Sequence, residues 1–291
     1  MKDFNRVLMV VNPISGGRDK SVFIEEVEEE VRRRGLDFRL FETSGHNDKK
    51  ALKDVVKTYA PQRILSVGGD GTIKLIAEVT QSENIVIGIF PAGSANGLAE
   101  NLDLPADISE LTKVALGGKY TQFDVILING EFCLHISDIG LNAALIKNYH
   151  EGNIRGKLGY LIQSIPTLIN SDFPFEFEIE TNGKIFKRTA VLIAVANARK
   201  YGTGATINPH GKYNDGKFEI LIFKEFNIPQ ILQTFREDVE ISEDFLEIIP
   251  AVEARITSSK NIPFQIDGEY RGDVKEVRAK IASVKMKIAI P

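Results

Sequence analysis

From Arg6 to Phe90 the chain repeats a short apolar run, a helical stripe and a small-residue loop, and few folds admit that rhythm. Val7 to Val11 is a continuous apolar run, the pattern of a strand buried on both faces. Ile24, Val27 and Val31 share one helical stripe, which Arg32 to Arg34 and then Gly35 bring to a stop. Phe38 and Leu40 alternate as a second strand, and Leu52, Val55, Val56 and Tyr59 recur at helical spacing. Ile64, Leu65 and Val67 form a third strand and Ile85 to Phe90 a fourth. Strands alternating with helices build a parallel sheet covered on both faces. Every strand but the second runs into a loop of glycine or small polar residues: Asn12 to Gly17, Gly68 to Thr72 and Pro91 to Asn96.

After Lys119 the rhythm changes to alternating strands joined by hairpin signals, Asn129-Gly130 and Asn182-Gly183. Phe175, Phe177 and Ile179 alternate with glutamates; further strands are read at Val191 to Val195, Phe218 to Phe223, Val252 to Ile256, Phe264 to Ile266 and Val284 to Ile290. Helical patterns lie near Ala143 to Tyr149 and Leu158 to Ile169. The expected architecture is α/β plus β in two domains: residues 1–122, with 284–291 as a candidate returning strand, and a β-rich domain over 123–283.

A length of 291 residues with 43% apolar side chains suffices for two cores. The formal charge of −4 creates no global field for nucleic acid or an anionic membrane, so any lipid contact must be regional. Lys147, Arg155 and Lys157, mixed with Tyr149, Ile154, Leu158 and Tyr160, make a segment suited to a membrane surface, or an ordinary solvated helix and loop. The single cysteine, Cys133, excludes an intramolecular disulfide and reads as core packing in a reducing compartment. The N-terminus is polar and no apolar run approaches a membrane span, which points to a soluble cytoplasmic protein.

The residues suited to chemistry lie in the loops. Gly68-Gly69-Asp70-Gly71-Thr72 follows a strand and opens a helix, where glycines let amide groups face phosphate oxygens. Asp70 would repel bare phosphate, so it suits a magnesium ion or the reacting hydroxyl; a capping Asp in a plain turn is the other reading. Asn12, Ser15 and Gly16 in the first loop, and Ser94 and Asn96 in the third, offer further anion-binding elements at equivalent strand ends. Near the C-terminus, alternation would place Asp267 and Glu269 on one face, as a base and a magnesium ligand or as parts of a polar hairpin turn. Asp215 in Asn214-Asp215-Gly216 could coordinate a hard cation with nearby carbonyls. The four histidines, His46, His135, His150 and His210, lack metal-ligand spacing.

Taken in order, these motifs resemble the diacylglycerol kinase catalytic-domain superfamily, especially bacterial soluble lipid kinases related to diacylglycerol and sphingosine kinases. The resemblance rests on Asn12 to Gly16, Thr43 with Gly45 to Asp48, Gly68 to Thr72, Pro91 to Asn96, Asp215-Gly216 and Asp267-Gly268-Glu269. It implies an N-terminal domain similar to those of NAD kinases and phosphofructokinases, with a β-sandwich domain closing over the nucleotide. By matching position, Thr43, Gly68, Gly69, Asp70, Gly71, Thr72 through Lys74, and Ser94 would line the ATP site. Asp267 would accept the lipid hydroxyl's proton with Glu269 assisting, and Mg²⁺ would sit by Asp215 and the carbonyls of Lys212 and Lys217. Asp124 matches an aspartate that opens the second domain. Lys74 and Leu75 depart from an Asn and a Glu common in the family, Ser94 replaces a Thr, and Asn142 replaces an Asp.

The expected function is therefore ATP- and Mg²⁺-dependent phosphorylation of a diacylglycerol-like or sphingoid lipid, in phospholipid metabolism, with transient contact at the inner face of the membrane. A homodimer is left open. Two other readings stand beside it: a soluble nucleotide kinase of the NAD type, which shares the Gly68 to Thr72 pattern, and a non-catalytic nucleotide or lipid sensor.

Overall fold

A computed structural model describes residues 4–80, 84–94, 96–144, 173–201, 205–227, 230 and 241–291. The chain divides into two compact units, Met1–Val125 with Ser283–Pro291, and Ile126–Ala282.

The first unit runs β1 (Arg6–Val11), α1 (Ser21–Arg34), β2 (Asp37–Glu42), α2 (Asp48–Tyr59), β3 (Arg63–Gly68), α3 (Asp70–Thr80), β4 (Val86–Pro91), α4 (Gly97–Asn101), α5 (Ile108–Ala115) and the start of β5 (Tyr120–Ile128). Strands β2, β1, β3 and β4 pair in that order, all parallel. Leu8 and Val10 are as fully buried as Val7 and Met9, which explains the unbroken apolar run. Phe23, Val27 and Val31 of α1 pack on Val7, Met9 and Val11, and Gly35 ends the helix in a left-handed conformation at φ 58°. Strand β2 is the edge of the sheet, and Leu40 remains 38% exposed there. Helices α4 and α5 carry too short or too mixed a pattern to have been read from periodicity; α5 is held by Asp107, whose side chain accepts the N–H of Glu110.

The second unit completes β5 and adds β6 (Glu131–Cys133), β7 (Ile136–Gly140), β8 (Phe175–Thr181), β9 (Lys184–Ala190), β10 (Leu192–Ala196), β11 (Lys200–Tyr201), β12 (Ala205–Thr206), β13 (Phe218–Phe223), β14 (Leu246–Ala251), β15 (Glu253–Ile266) and most of β16 (Glu269–Ala289). The order β14-β13-β10-β7-β15-β16 is antiparallel throughout, with β8 on β15 and β9 on β8. Ile193 and Val195 of β10 belong to one apolar cluster while Ala194 and Ala196 belong to another, so this strand is covered on both faces. Asn129 and Gly130 have φ of 50° and 90°, and Asn182 and Gly183 have 52° and 70°, the paired positive angles that the hairpin signals demand.

The two late apolar segments, Val252 to Ile256 and Phe264 to Ile266, belong to the single strand β15, with irregular register between Thr257 and Ile262 and between Pro263 and Gln265. Those irregularities break the two-residue alternation on which the sequence reading relied. The last strand is likewise longer than its apolar end suggests, because residues 269–283 carry charged side chains on exposed positions. Its final residues Lys287 and Ile288 pair in parallel with Val86 and Ile87 of β4, so the C-terminal strand joins the first sheet. The helical pattern at Ala143 to Tyr149 is seen only as a helical turn over 141–144; its remainder, and the pattern at Leu158 to Ile169, lie outside the described residues. Among the described residues no helix is long and apolar enough to cross a membrane.

Candidate active site

In a parallel sheet the C-terminal ends of all strands share one edge, so the loops after β1, β3 and β4 must meet there. Backbone bonds continue past the strands: Asn12 N–H donates to the Val67 carbonyl at 2.9 Å, and Ala92 N–H to the Gly68 carbonyl at 2.9 Å. The glycines are demanded by contact. A Cβ on Gly93 would lie 2.4 Å from Gly69 Cα, and one on Gly16, at φ 58°, would lie 2.6 Å from the Ala92 carbonyl oxygen. Ser15 Oγ is 3.1 Å from both the Asn12 and the Ala92 carbonyl oxygens, pinning the first loop to the third. Beneath it, the ammonium of buried Lys20 donates to the carbonyls of Ser15 and Arg18, each at 2.6 Å.

Asp70 opens α3, but its carboxylate accepts the N–H groups of Gly97 at 2.9 Å and Leu98 at 3.2 Å. It thereby ties the start of α3 to the start of α4 at the exit of the third loop, a contact that neither reading of the turn anticipated. Asn96 holds that loop from within: its Oδ1 accepts Gly93 N–H at 2.9 Å and its Nδ2 donates to the Gly93 carbonyl at 3.2 Å. Thr72 is buried against Gly68, whereas Gly71 and Ser94 are exposed and a Cβ on Gly71 would meet nothing within 4 Å. The exposed Gly71 leaves the amino end of α3 accessible, and helix amino ends attract phosphate. Thr43 extends the β1 pairing, its N–H donating to the Val11 carbonyl at 2.9 Å, and Asp48 orders the next turn by accepting Ser44 and Gly45 N–H, each at 2.8 Å.

In the second unit, Asp267 and Glu269 do not alternate along one strand. Asp267 has φ 50° and Gly268 φ 82°, so the pair is the two-residue turn between β15 and β16, and Glu269 starts the return strand. The Asp267 carboxylate points into a backbone cradle: Oδ1 accepts His135 N–H at 2.9 Å, both oxygens lie 3.2 Å from Leu134 N, and Ile136 N is 3.4 Å from Oδ1. Buried Cys133 places its thiol 3.5 Å from the same oxygen, so the cysteine read as core packing also borders this carboxylate. Glu269 is exposed and pairs with Arg271 at 2.5 Å, which also reaches Glu131 at 3.1 Å.

Residues 6–128 match the family model described as the diacylglycerol kinase catalytic domain, and residues 137–289 match that of the YegS C-terminal NAD kinase beta sandwich-like domain. The chain belongs to the diacylglycerol kinase catalytic-domain family. It is 23% identical over 275 residues to a diacylglycerol kinase of Bacillus subtilis, covering 92% of this chain and 90% of that one. It is 26% identical over 278 residues to a protein of Escherichia fergusonii named "Probable lipid kinase YegS", covering 92% and 91%. The fold is that of a diacylglycerol kinase crystal structure from Bacillus anthracis, with TM-score 0.79, 18% identity and coverage of 100% and 98%. It is also that of an NAD kinase from Archaeoglobus fulgidus in complex with ATP, at TM-score 0.54, 14% identity and coverage of 98% and 93%.

For a diacylglycerol kinase family member the metal question turns on donor chemistry. Asp215 sits in an exposed turn, with Gly216 at φ 77°, and its Oδ1 accepts Lys217 N–H at 3.1 Å. Glu219, buried beside Asn208, is held above the usual carboxylate range by that burial and further by the charge of Asp215. Asp215 is thus an exposed carboxylate whose charge is felt by Glu219, and oxygen donors of this kind are the ones a hard cation takes. Glu219 was missed in the sequence because it reads as one more polar position of an alternating strand. Among the described residues no group of three or more His, Cys, Asp or Glu forms a metal cluster. Asp124, fully buried, meets Lys285 Nζ at 2.6 Å, an ion pair that ties the returning end of β16 to β5.

The family member also holds a buried network that no motif announced. Asp138 on β7 is 3% exposed, and its Oδ2 accepts both Gln265 Nε2 and Asn142 Nδ2, each at 2.5 Å, while Oδ1 has no hydrogen-bond partner. Burial pushes its carboxyl from 3.8 up to about 6, against the opposing pull of Gln265, Asn142 and the Ala143 backbone. Since the folded value exceeds the unfolded one, the native state holds the extra proton between the two values and stability falls as pH rises through that window. The loss from about pH 4 to above pH 6 is up to about 3 kcal/mol. Asp138→Asn keeps one oxygen for both donors and removes the buried charge. The variant should match wild type near pH 4 and exceed it by about 1–3 kcal/mol at pH 8 in denaturant unfolding. An equal difference at both pH values would refute ionisation at this position.

Proposed function

We propose that the chain is an ATP- and Mg²⁺-dependent lipid kinase, transferring the γ-phosphoryl group to a hydroxyl of a diacylglycerol-like or sphingoid lipid. The observation that carries the reading is the interlock of the three glycine loops, Gly16 on Gly93 and Gly93 on Gly69, at the C-terminal edge of the parallel sheet. A triphosphate needs several anion-binding elements held at fixed spacing, and phosphoryl transfer is catalysed chiefly by positioning and charge stabilisation. In this reading the Gly68 to Thr72 turn and the start of α3 hold phosphate oxygens, with Ser15, Thr43, Ser94 and Asn96 shaping the nucleotide site. Asp70 keeps the third loop in place. Bound Mg²⁺ offsets phosphate charge, and Asp215 with the Lys212 and Lys217 carbonyls supplies a largely structural cation position.

Asp267 takes the proton of the attacking lipid hydroxyl, and its cradle of N–H groups fixes the direction of its lone pairs. Glu269 acts through Arg271, which it pairs with, instead of sharing a strand face with Asp267. The diacylglycerol-like class follows the name of the Bacillus subtilis relative, and the sphingoid class follows the resemblance read from the sequence. The chain works at the inner face of the membrane; the cationic-aromatic segment 147–160 proposed for that contact lies outside the described residues.

The test is transfer of label from γ-labelled ATP with Mg²⁺ to a mixed bacterial lipid extract, alongside NAD as competing acceptor, with the product identified by mass. Label in a lipid phosphate monoester, abolished by chelation of the metal, is expected. Label in NADP would establish a soluble nucleotide kinase instead. A rise in melting temperature with ATP and no transfer to either acceptor would establish a sensor.

A further inference from the structure

Asp267 is held from two sides, and the second side lies outside its own cradle. Gln265 is fully buried on β15, two residues before Asp267. Its Nε2 donates to Asp138 Oδ2 at 2.5 Å, and its Oε1 accepts Gly268 N–H at 2.7 Å. The amide therefore cannot flip without placing NH₂ against an N–H at one end and a carbonyl against a carboxylate at the other. Asp138 is itself immobilised on β7, paired across the sheet with Gln265 on one side and Ala194 on the other. We propose that Gln265, clamped between Asp138 and Gly268, is a positioning residue that fixes the β15–β16 turn and with it the direction of the Asp267 carboxylate. The inference rests on the lipid kinase reading for its catalytic consequence, but its geometric content stands without it.

The physical need is specific. The turn has positive φ at both residues; Asp267 N–H donates to the Ile136 carbonyl at 2.8 Å, and Gly268 N–H is held by Gln265. Without the Gly268 bond the turn loses the buried side chain that fixes its second residue, and the Asp267 carboxylate can shift within its cradle. A base displaced by about 1 Å loses about a hundredfold in rate, because proton transfer depends steeply on reach and angle. Gln265 and Asp138 are buried while Gly268 is exposed, so water does not cheaply replace the bond at the Asp138 end of the clamp.

Two independent readouts test it. Hydrogen exchange of the Leu134 and His135 amides, which donate to Asp267, should accelerate in Gln265→Leu more than in the amides of β13, whatever the protein's substrate. In the lipid assay the same variant should lower kcat about tenfold to a hundredfold with the KM for ATP unchanged. Combined with Asp267→Asn, Gln265→Leu should add no further loss, since both act through one carboxylate. Should Gln265→Leu fail to fold, the pair Asp138→Asn with Gln265→Glu serves. There the donor and acceptor exchange places and Gly268 keeps its acceptor, so the pair should recover the rate lost in Gln265→Glu alone. Unaltered exchange at Leu134 and His135, or additive losses with Asp267→Asn, would overturn the inference. Absence of lipid turnover in wild-type protein would sink the kinase reading alone, leaving exchange to decide the clamp.

Discussion

Asp267→Asn is expected to lower lipid phosphorylation by at least about a hundredfold while leaving the fold in place, because it removes the proton acceptor and almost nothing else. The turn tolerates the change: Asn-Gly already makes the hairpins at Asn129-Gly130 and Asn182-Gly183, with the same positive φ angles that Asp267 and Gly268 adopt. The cradle tolerates it as well. The amide oxygen can take the Oδ1 position, where His135 N–H at 2.9 Å and Leu134 N–H at 3.2 Å both donate. Thermal unfolding should shift little and ATP should still bind. Turnover near the wild-type rate in a folded variant would remove Asp267 from the mechanism.

A pair of glycine variants should separate the frame of the nucleotide site from its surface. Gly93→Ala places a methyl group 2.4 Å from Gly69 Cα and 2.9 Å from Gly69 N, so two backbones must part. Overpacking of this kind costs about 1–3 kcal/mol, and a displacement of about 1 Å in the phosphate loops costs about a hundredfold in turnover. Both a lower melting temperature and a collapse of ATP-dependent transfer are therefore expected. Gly71→Ala is the contrast. A Cβ there meets no protein atom within 4 Å, and α3 has already begun. The variant should be as stable as wild type or slightly more so, by about 0.5–1 kcal/mol, while a triphosphate lying over the turn would meet the new methyl group. The expected signature is a raised KM for ATP with an unchanged or higher melting temperature. If Gly93→Ala binds ATP and melts like wild type, the three loops do not form the working frame.

The parts of the fold legible beforehand share one property: their signal is local. Val7 to Val11 read as a doubly buried strand because every residue in it is buried, and the Asn-Gly turns read as hairpins because few other pairs accept two positive φ angles. The loop glycines could be counted but not explained, since Gly93 is required by Gly69 and Gly16 by Ala92, contacts that no spacing reports. For Asp267-Gly268-Glu269 the sequence offered both an alternating pair and a polar hairpin turn; the turn is what forms, and Pro263 with the register shift around it hides where β15 ends.

What the amino-acid sequence determined alone was the class of architecture, a parallel α/β unit and a strand-rich one, and the inventory of glycine turns and acids, because periodicity and turn chemistry act over a few residues. Tertiary structure alone decided which of those groups face one another. Asp138 meets Gln265 across 127 positions, and His135 meets Asp267 across 132. Strand register sets such encounters, and register follows from burying whole faces at once, so it leaves no mark at either residue that could be read in isolation.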